Sequence, residues 1–129
     1  MGKVAIFEDD EVREKWFPYD DDTEVLLAYI DRQGLQKINT KTIKAGKLTG
    51  TAQADYSNCL LGHKAVKGWR KIKDHDHPGL IVKGQPLPFS LENIDLLMTK
   101  SLEFSRFVNE RCTDAELFDI EDEEEPKNA

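Results

Sequence analysis

Glu24-Val25-Leu26-Leu27-Ala28-Tyr29-Ile30-Asp31 is the stretch on which the fold turns. Its β-branched and aromatic residues suit a strand. Asp31 then carries the side chain that caps a helix N-terminus. Leu35, Ile38, Thr42 and Ile43 follow at helical spacing, and Gly46 stands where a helix stops. The chain thus passes from strand to helix within residues 24–46, which places the fold in the α+β class.

Upstream, Lys3-Val4-Ala5-Ile6-Phe7 reads as a short strand, and Val12 to Phe17 as another closed by Pro18. Asp20-Asp21-Asp22 reads as a polar turn. Together these give a small antiparallel sheet, and helices must cover one of its faces because isolated strand pairs are marginal in water.

Downstream, Thr51 can cap a longer helix with the face Ala52, Tyr56, Cys59, Leu60, His63 and Val66, and with Ala65 and Trp69 close by. Gly68 stands at its stop. Residues 72–89 read as a loop containing the strand-like Leu80-Ile81-Val82, punctuated by Gly79, Gly84, Pro86 and Pro88. Ser90 can cap a helix carrying Leu91, Ile94, Leu97 and Met98, and Ser101 one carrying Leu102, Phe104, Phe107 and Val108. Thr113 with Glu116 forms a capping box for a last turn holding Leu117 and Phe118. The expectation is a helix-dominated α+β fold, with small N-terminal antiparallel strands packed on a bundle of about four to five helices. One globular domain is expected over residues 1–118, followed by a disordered acidic tail over 119–129 in which only Ile120 is a large apolar residue.

The net charge of -7 is segregated along the 129 residues. Residues 8–24 hold nine acids against two bases, and residues 31–83 hold eleven bases against four acids. Residues 119–129 hold six acids and one lysine. A basic middle is the footprint of a nucleic-acid binder. The acidic ends can screen it within the molecule, and the total is negative, so phosphate-backbone binding is disfavoured. The longest apolar run, Val25 to Ile30, is far short of the ~18 residues that span a membrane. Met1-Gly2-Lys3-Val4 lacks the apolar stretch of a signal peptide. Cys59 and Cys112 stand alone beside apolar neighbours, as small buried thiols do in a reducing compartment.

Few residues carry the pattern of a catalytic site. In Asp74-His75-Asp76-His77, the histidines His75 and His77 are the weak candidates for binding a divalent transition metal. Pro78 and Gly79 favour a solvated turn there, so no metal or other cofactor is expected. Cys59 and His63 share a helix face at i, i+4, as a nucleophile and base would, and also as any amphipathic helix does. His63 is expected to pack, partly buried. No phosphate loop is present, and the aspartates at 20–22 lack the pattern of a calcium loop. Trp16, Phe17 and Tyr19 are interleaved with acids, which suits core residues or a protein anchor better than a base-stacking platform. The chain is therefore read as a non-enzymatic binding protein.

Val66-Lys67-Gly68-Trp69-Arg70-Lys71-Ile72 is followed, after a polar loop, by Gly84-Gln85-Pro86-Leu87-Pro88-Phe89-Ser90-Leu91-Glu92-Asn93 and by Leu96 and Leu97. This order resembles the tail assembly chaperones of long-tailed bacteriophages and prophages. The resemblance extends loosely over residues 12–110, and its specific part is residues 66–97. It implies binding of the tape measure protein and assistance to tail tube polymerisation in the cytoplasm of a bacterial host, without catalysis. The partners implied are the tape measure protein and the tail tube subunits, with no nucleic acid and no membrane, and homo-oligomerisation is compatible with the role. Physically, the motif reads as a corner in which Trp69 ends a helix and folds back over the core. Pro86 and Pro88 then stiffen an extended loop. Phe89 and Ile94 sit at the positions of a hydrophobic staple. Trp69, Pro88, Phe89 and Leu97 are the candidate partner-binding residues. The competing readings are another phage tail or neck adaptor, a small acidic regulatory binding protein, and a metal-dependent enzyme built on residues 74–77.

Overall fold

The structure, a computed structural model, describes residues 13–46 and 50–119, Thr51 by its backbone alone. The strand read at residues 3–7 and residues 120–129 of the acidic tail lie outside the described residues, whereas Thr51, read as the cap of the second helix, lies within that helix, whose backbone begins at Gly50. The order of elements is β1 (Glu14–Pro18), β2 (Thr23–Ala28), α1 (Arg32–Lys44), α2 (Gly50–Ala65), β3 (Val66–Lys71), β4 (Ile81–Val82), β5 (Gln85–Pro86), α3 (Leu91–Lys100), α4 (Leu102–Cys112) and α5 (Ala115–Phe118). The fold is α+β and helix-dominated, with an N-terminal antiparallel sheet and five helices among the described residues.

β2 is the central strand of a sheet ordered β1-β2-β3, antiparallel throughout. The turn between β1 and β2 is tied by Asp20, whose Oδ1 accepts from the backbone N–H groups of Asp22 (2.9 Å) and Thr23 (2.8 Å). Thr23, Val25 and Leu27 of β2 and Phe17 of β1 are buried on one face. Trp16, Leu26 and Gly68 line up across the other. On that outer face the Arg70 guanidinium lies 3.7 Å from the Trp16 ring centroid, and its Nε donates to Glu24 Oε2 at 2.6 Å.

β3 corrects the sequence reading. The helix ends at Ala65, and Val66 to Lys71 pair with β2 instead of closing the helix at Gly68 and Trp69. The physical reason is a bulge. Trp69 opposes Val25 and Val66 opposes Leu27, with a register shift between Leu26 and Leu27, so β3 uses three residues where β2 uses two. Val66 and Trp69 are both buried as a result, at the spacing of three that imitates a helical stripe.

The helices begin where capping side chains stand. Asp31 accepts from Gly34 N–H, Ser90 from Asn93 N–H and Ser101 from Phe104 N–H. α1 stops at Lys44, with Gly46 in the left-handed region at φ 71°. The last helix is capped one residue later than its sequence suggests. Asp114 accepts from Glu116 N–H, while Thr113 closes α4. β4 and β5 form a two-residue hairpin through Lys83 (φ 51°) and Gly84 (φ 79°), the turn that matches strand twist.

α2 presents a different face from the one expected. Leu61, Gly62 and Ala65 are buried, whereas Ala52, Tyr56 and His63 are exposed. Gly62 sets the crossing with α3. A Cβ there would lie 2.7 Å from both Ile94 Cγ2 and Met98 Cγ. The shared core joins Phe17, Val25 and Leu27 to Ile30, Leu61, Ile94, Met98, Phe104, Val108 and Phe118. Burying one such large apolar side chain contributes about 1.5–3 kcal/mol. The backbone also closes across the fold, since Ile30 N–H donates to Cys112 C=O at 2.8 Å.

Candidate functional site

The motif residues 66–97 meet at a corner made of β3, the β4–β5 hairpin and α3. Leu87 N–H donates to Leu80 C=O at 2.8 Å, which draws the Pro86-Leu87-Pro88 segment against the core. Trp69 Nε1 donates to Leu87 C=O at 2.7 Å, so the buried indole keeps its polar handle satisfied. The Phe89 ring packs edge-on against Trp69, with centroids 4.9 Å apart and planes at 79°. Asn93 Nδ2 donates back to Pro88 C=O at 2.8 Å, locking the segment to the first turn of α3. The corner is thus strand, hairpin and helix, in place of the helix–loop–helix read from the sequence.

The four candidate partner residues divide sharply. Trp69 and Leu97 are 5% and 8% exposed and belong to the core, so neither is offered to a partner. Pro88 and Phe89 lie at the surface. Leu91, which opens α3, is 61% exposed, and together the three make an apolar edge on a rigid support. The sequence gives little warning about Leu91, because an apolar residue at the first position of a helix looks like part of the core stripe.

A second feature lies on α1 and α2. Lys37, Lys41 and Lys44 recur along one side of α1, and a groove of about 280 Å³ beside them is lined by Gly34, Lys37, Ile38, Lys41, Leu60 and Lys64, among others. None of these four lysines enters a salt bridge among the described residues.

Cys59 and His63 do share a side of α2, and the structure adds Asp95 of α3. His63 Nε2 and Asp95 Oδ1 are 2.6 Å apart, and the same carboxylate acts on the Cys59 thiol. Burial, with Asp95 beside it, pushes the Cys59 thiol up to about 11. A nucleophilic cysteine needs the opposite shift. Burial pushes Cys112 up to about 12. His63 is exposed and paired with a carboxylate, and the packing role read from its sequence position falls to Leu61 and Gly62.

The loop histidines diverge. His75 Nε2 lies 4.0 Å from Glu24 Oε2, and His77 Nδ1 accepts from Gly79 N–H at 2.9 Å. His77 C=O accepts from Lys71 N–H at 2.7 Å, folding the loop back on β3. Gly79 completes the return at φ 81°, where a Cβ would come within 2.9 Å of the Arg70 backbone. Among the described residues no three His, Cys, Asp or Glu groups are placed to hold a metal. The clustered aromatics resolve differently. Phe17 is buried, and Tyr19 packs on Phe107 with centroids 5.0 Å apart while its hydroxyl donates to Glu103 at 2.9 Å. Among the described residues no helix is long and apolar enough to cross a membrane.

No protein-family model matches this chain, and no curated protein or solved structure is significantly similar to it.

Proposed function

We propose that this chain is a tail assembly chaperone of a long-tailed phage or prophage. It binds the tape measure protein before and during tail tube polymerisation in the host cytoplasm, and does so without catalysis. The observation that carries the proposal is the apolar edge of Pro88, Phe89 and Leu91, which projects from the corner that bears the family-like motif. The polar groups beneath that edge are paired, through Trp69 with Leu87 and Asn93 with Pro88, so the edge is preorganised. A long apolar or amphipathic helix is the kind of client such an edge takes. Raised thiols at Cys59 and Cys112 support binding over nucleophilic chemistry.

The test is co-expression with the product of the very long open reading frame just downstream of the gene. Solubilisation of that product and its copurification with this chain are expected. An insoluble product, with no association, overturns the proposal. Recovery of the chain from purified virions points instead to a tail or neck adaptor.

A further inference from the structure

We propose that the groove between α1 and α2 is a docking surface for the chain's own acidic segment Glu121-Asp122-Glu123-Glu124-Glu125.

The groove is basic, and among the described residues none of its lysines has an ion-pair partner. Lys37, Lys41 and Lys44 stand at i, i+4 and i+7, which places them on one side of α1. Lys64 crosses from α2, its Cε 2.9 Å from where a Gly34 Cβ would be. Glycine at 34 thus leaves room for the lysine stem over the helix. α1 carries no acidic residue, so nothing on its own surface offsets the three lysines. Like charges gathered this way repel, and an anionic segment relieves them.

The acidic segment starts from the right place. The Phe118 ring packs on Phe17 and Tyr29, with centroids 5.3 Å and 5.6 Å away. Tyr29 is two residues before Asp31, the cap of α1. Lys37 lies only about 9 Å along the helix from that cap, and Lys44 about 20 Å. Residues 119–125 extended reach about 20 Å. The end of the acidic segment therefore falls within chain reach of Lys37, at the near end of the lysine stripe. Tethering raises the segment's effective concentration at the groove far above that of a free peptide.

The consequence is a salt-sensitive contact within the chain. The segment docks on the groove at low ionic strength and yields it to a more acidic partner or to salt. Pairs of this kind are exposed and are screened once the Debye length falls to about 3 Å at 1 M salt.

The experiment compares amide spectra (¹H–¹⁵N) of the full chain with those of E121Q/D122N/E123Q/E124Q/E125Q and of K37Q/K41Q/K64Q, each at low salt and at about 1 M salt. In the first variant the amides of Gly34 to Lys44 are expected to sit, at low salt, where the native chain has them only at high salt. In the second, the amides of residues 121–125 are expected to move at low salt. Both variants exchange charges for neutral side chains of similar shape, and dispersed spectra establish that each is folded. If the α1 amides of the first variant coincide with the native ones at low salt, or the acidic segment's amides ignore the lysine changes, the proposal is overturned.

Discussion

Gly62 of α2 lies so close to Met98 of α3 that a Cβ on the glycine would come within 2.7 Å of Met98 Cγ, and equally near Ile94 Cγ2. Neither atom is the free end of a flexible chain, and both residues are buried. Gly62→Ala gains up to about 1 kcal/mol of helix propensity. Overpacking at such a crossing costs about 1–3 kcal/mol. A net loss is expected, seen as a thermal midpoint several degrees lower. A midpoint equal to or above the native one would show that the two helices separate freely.

Trp69→Phe should destabilise the corner more than the change in ring size alone suggests. It removes the 2.7 Å bond from Nε1 and leaves the Leu87 carbonyl buried without it. An orphaned buried acceptor costs about 1–3 kcal/mol. A urea midpoint is the readout, and Trp16→Phe is the control, because Trp16 lies on the outer sheet face under Arg70.

Leu91→Glu separates stability from binding. The residue is 61% exposed at the first position of α3, where a carboxylate is favoured by the helix dipole. Stability is expected within about 0.5 kcal/mol of native, the range of ordinary surface changes. Copurification of the downstream client should be lost. Retained client binding places the client elsewhere on the surface.

Alkali should weaken the fold. Tyr19 is raised from 10.0 to about 12 by burial first and then by its bond to Glu103. A raised folded value means the proton is held more tightly in the native state. Stability from Tyr19 is thus complete below pH 10 and is lost as the pH rises toward 12. Cys59 and Cys112 act in the same direction, from 9.0 upward. Urea midpoints should fall from pH 8.5 to pH 11 by about the same sign at each thiol and phenol. Tyr19→Phe should flatten the part of the decline above pH 10, and an unchanged slope would assign the decline to other groups.

Cys59 reactivity reports on Asp95. Burial is the larger cause of the raised thiol, and the Asp95 carboxylate adds to it. Asp95→Asn removes the charge, so alkylation of Cys59 at mildly alkaline pH should accelerate several-fold while buried Cys112 stays silent. An unaltered rate would leave burial as the sole cause.

The candidate site was only half legible. Pro88 and Phe89 stood out because proline and aromatic residues next to a capping serine make a recognisable corner. Leu91 and the Asp95 partner of His63 were missed, since both depend on how α3 lies against α2. Trp69 and Leu97 looked equally suited to a partner, and burial removed them.

Local chemistry alone determined the class of the fold, a strand within residues 24–30, and the starts of α1, α3 and α4. Asp31, Ser90 and Ser101 cap the N–H groups just ahead of them, an interaction complete within one turn of helix. Tertiary structure decided where α2 ends and which way it faces. Val66 and Trp69 have the spacing of a helix, and only pairing with Leu27 and Val25 of β2 across a bulge makes them a strand. The side of α2 that turns inward is set by Gly62, whose missing side chain admits Ile94 and Met98. A hydrophobic pattern cannot announce such a contact, because close approach is favoured there by the absence of an atom.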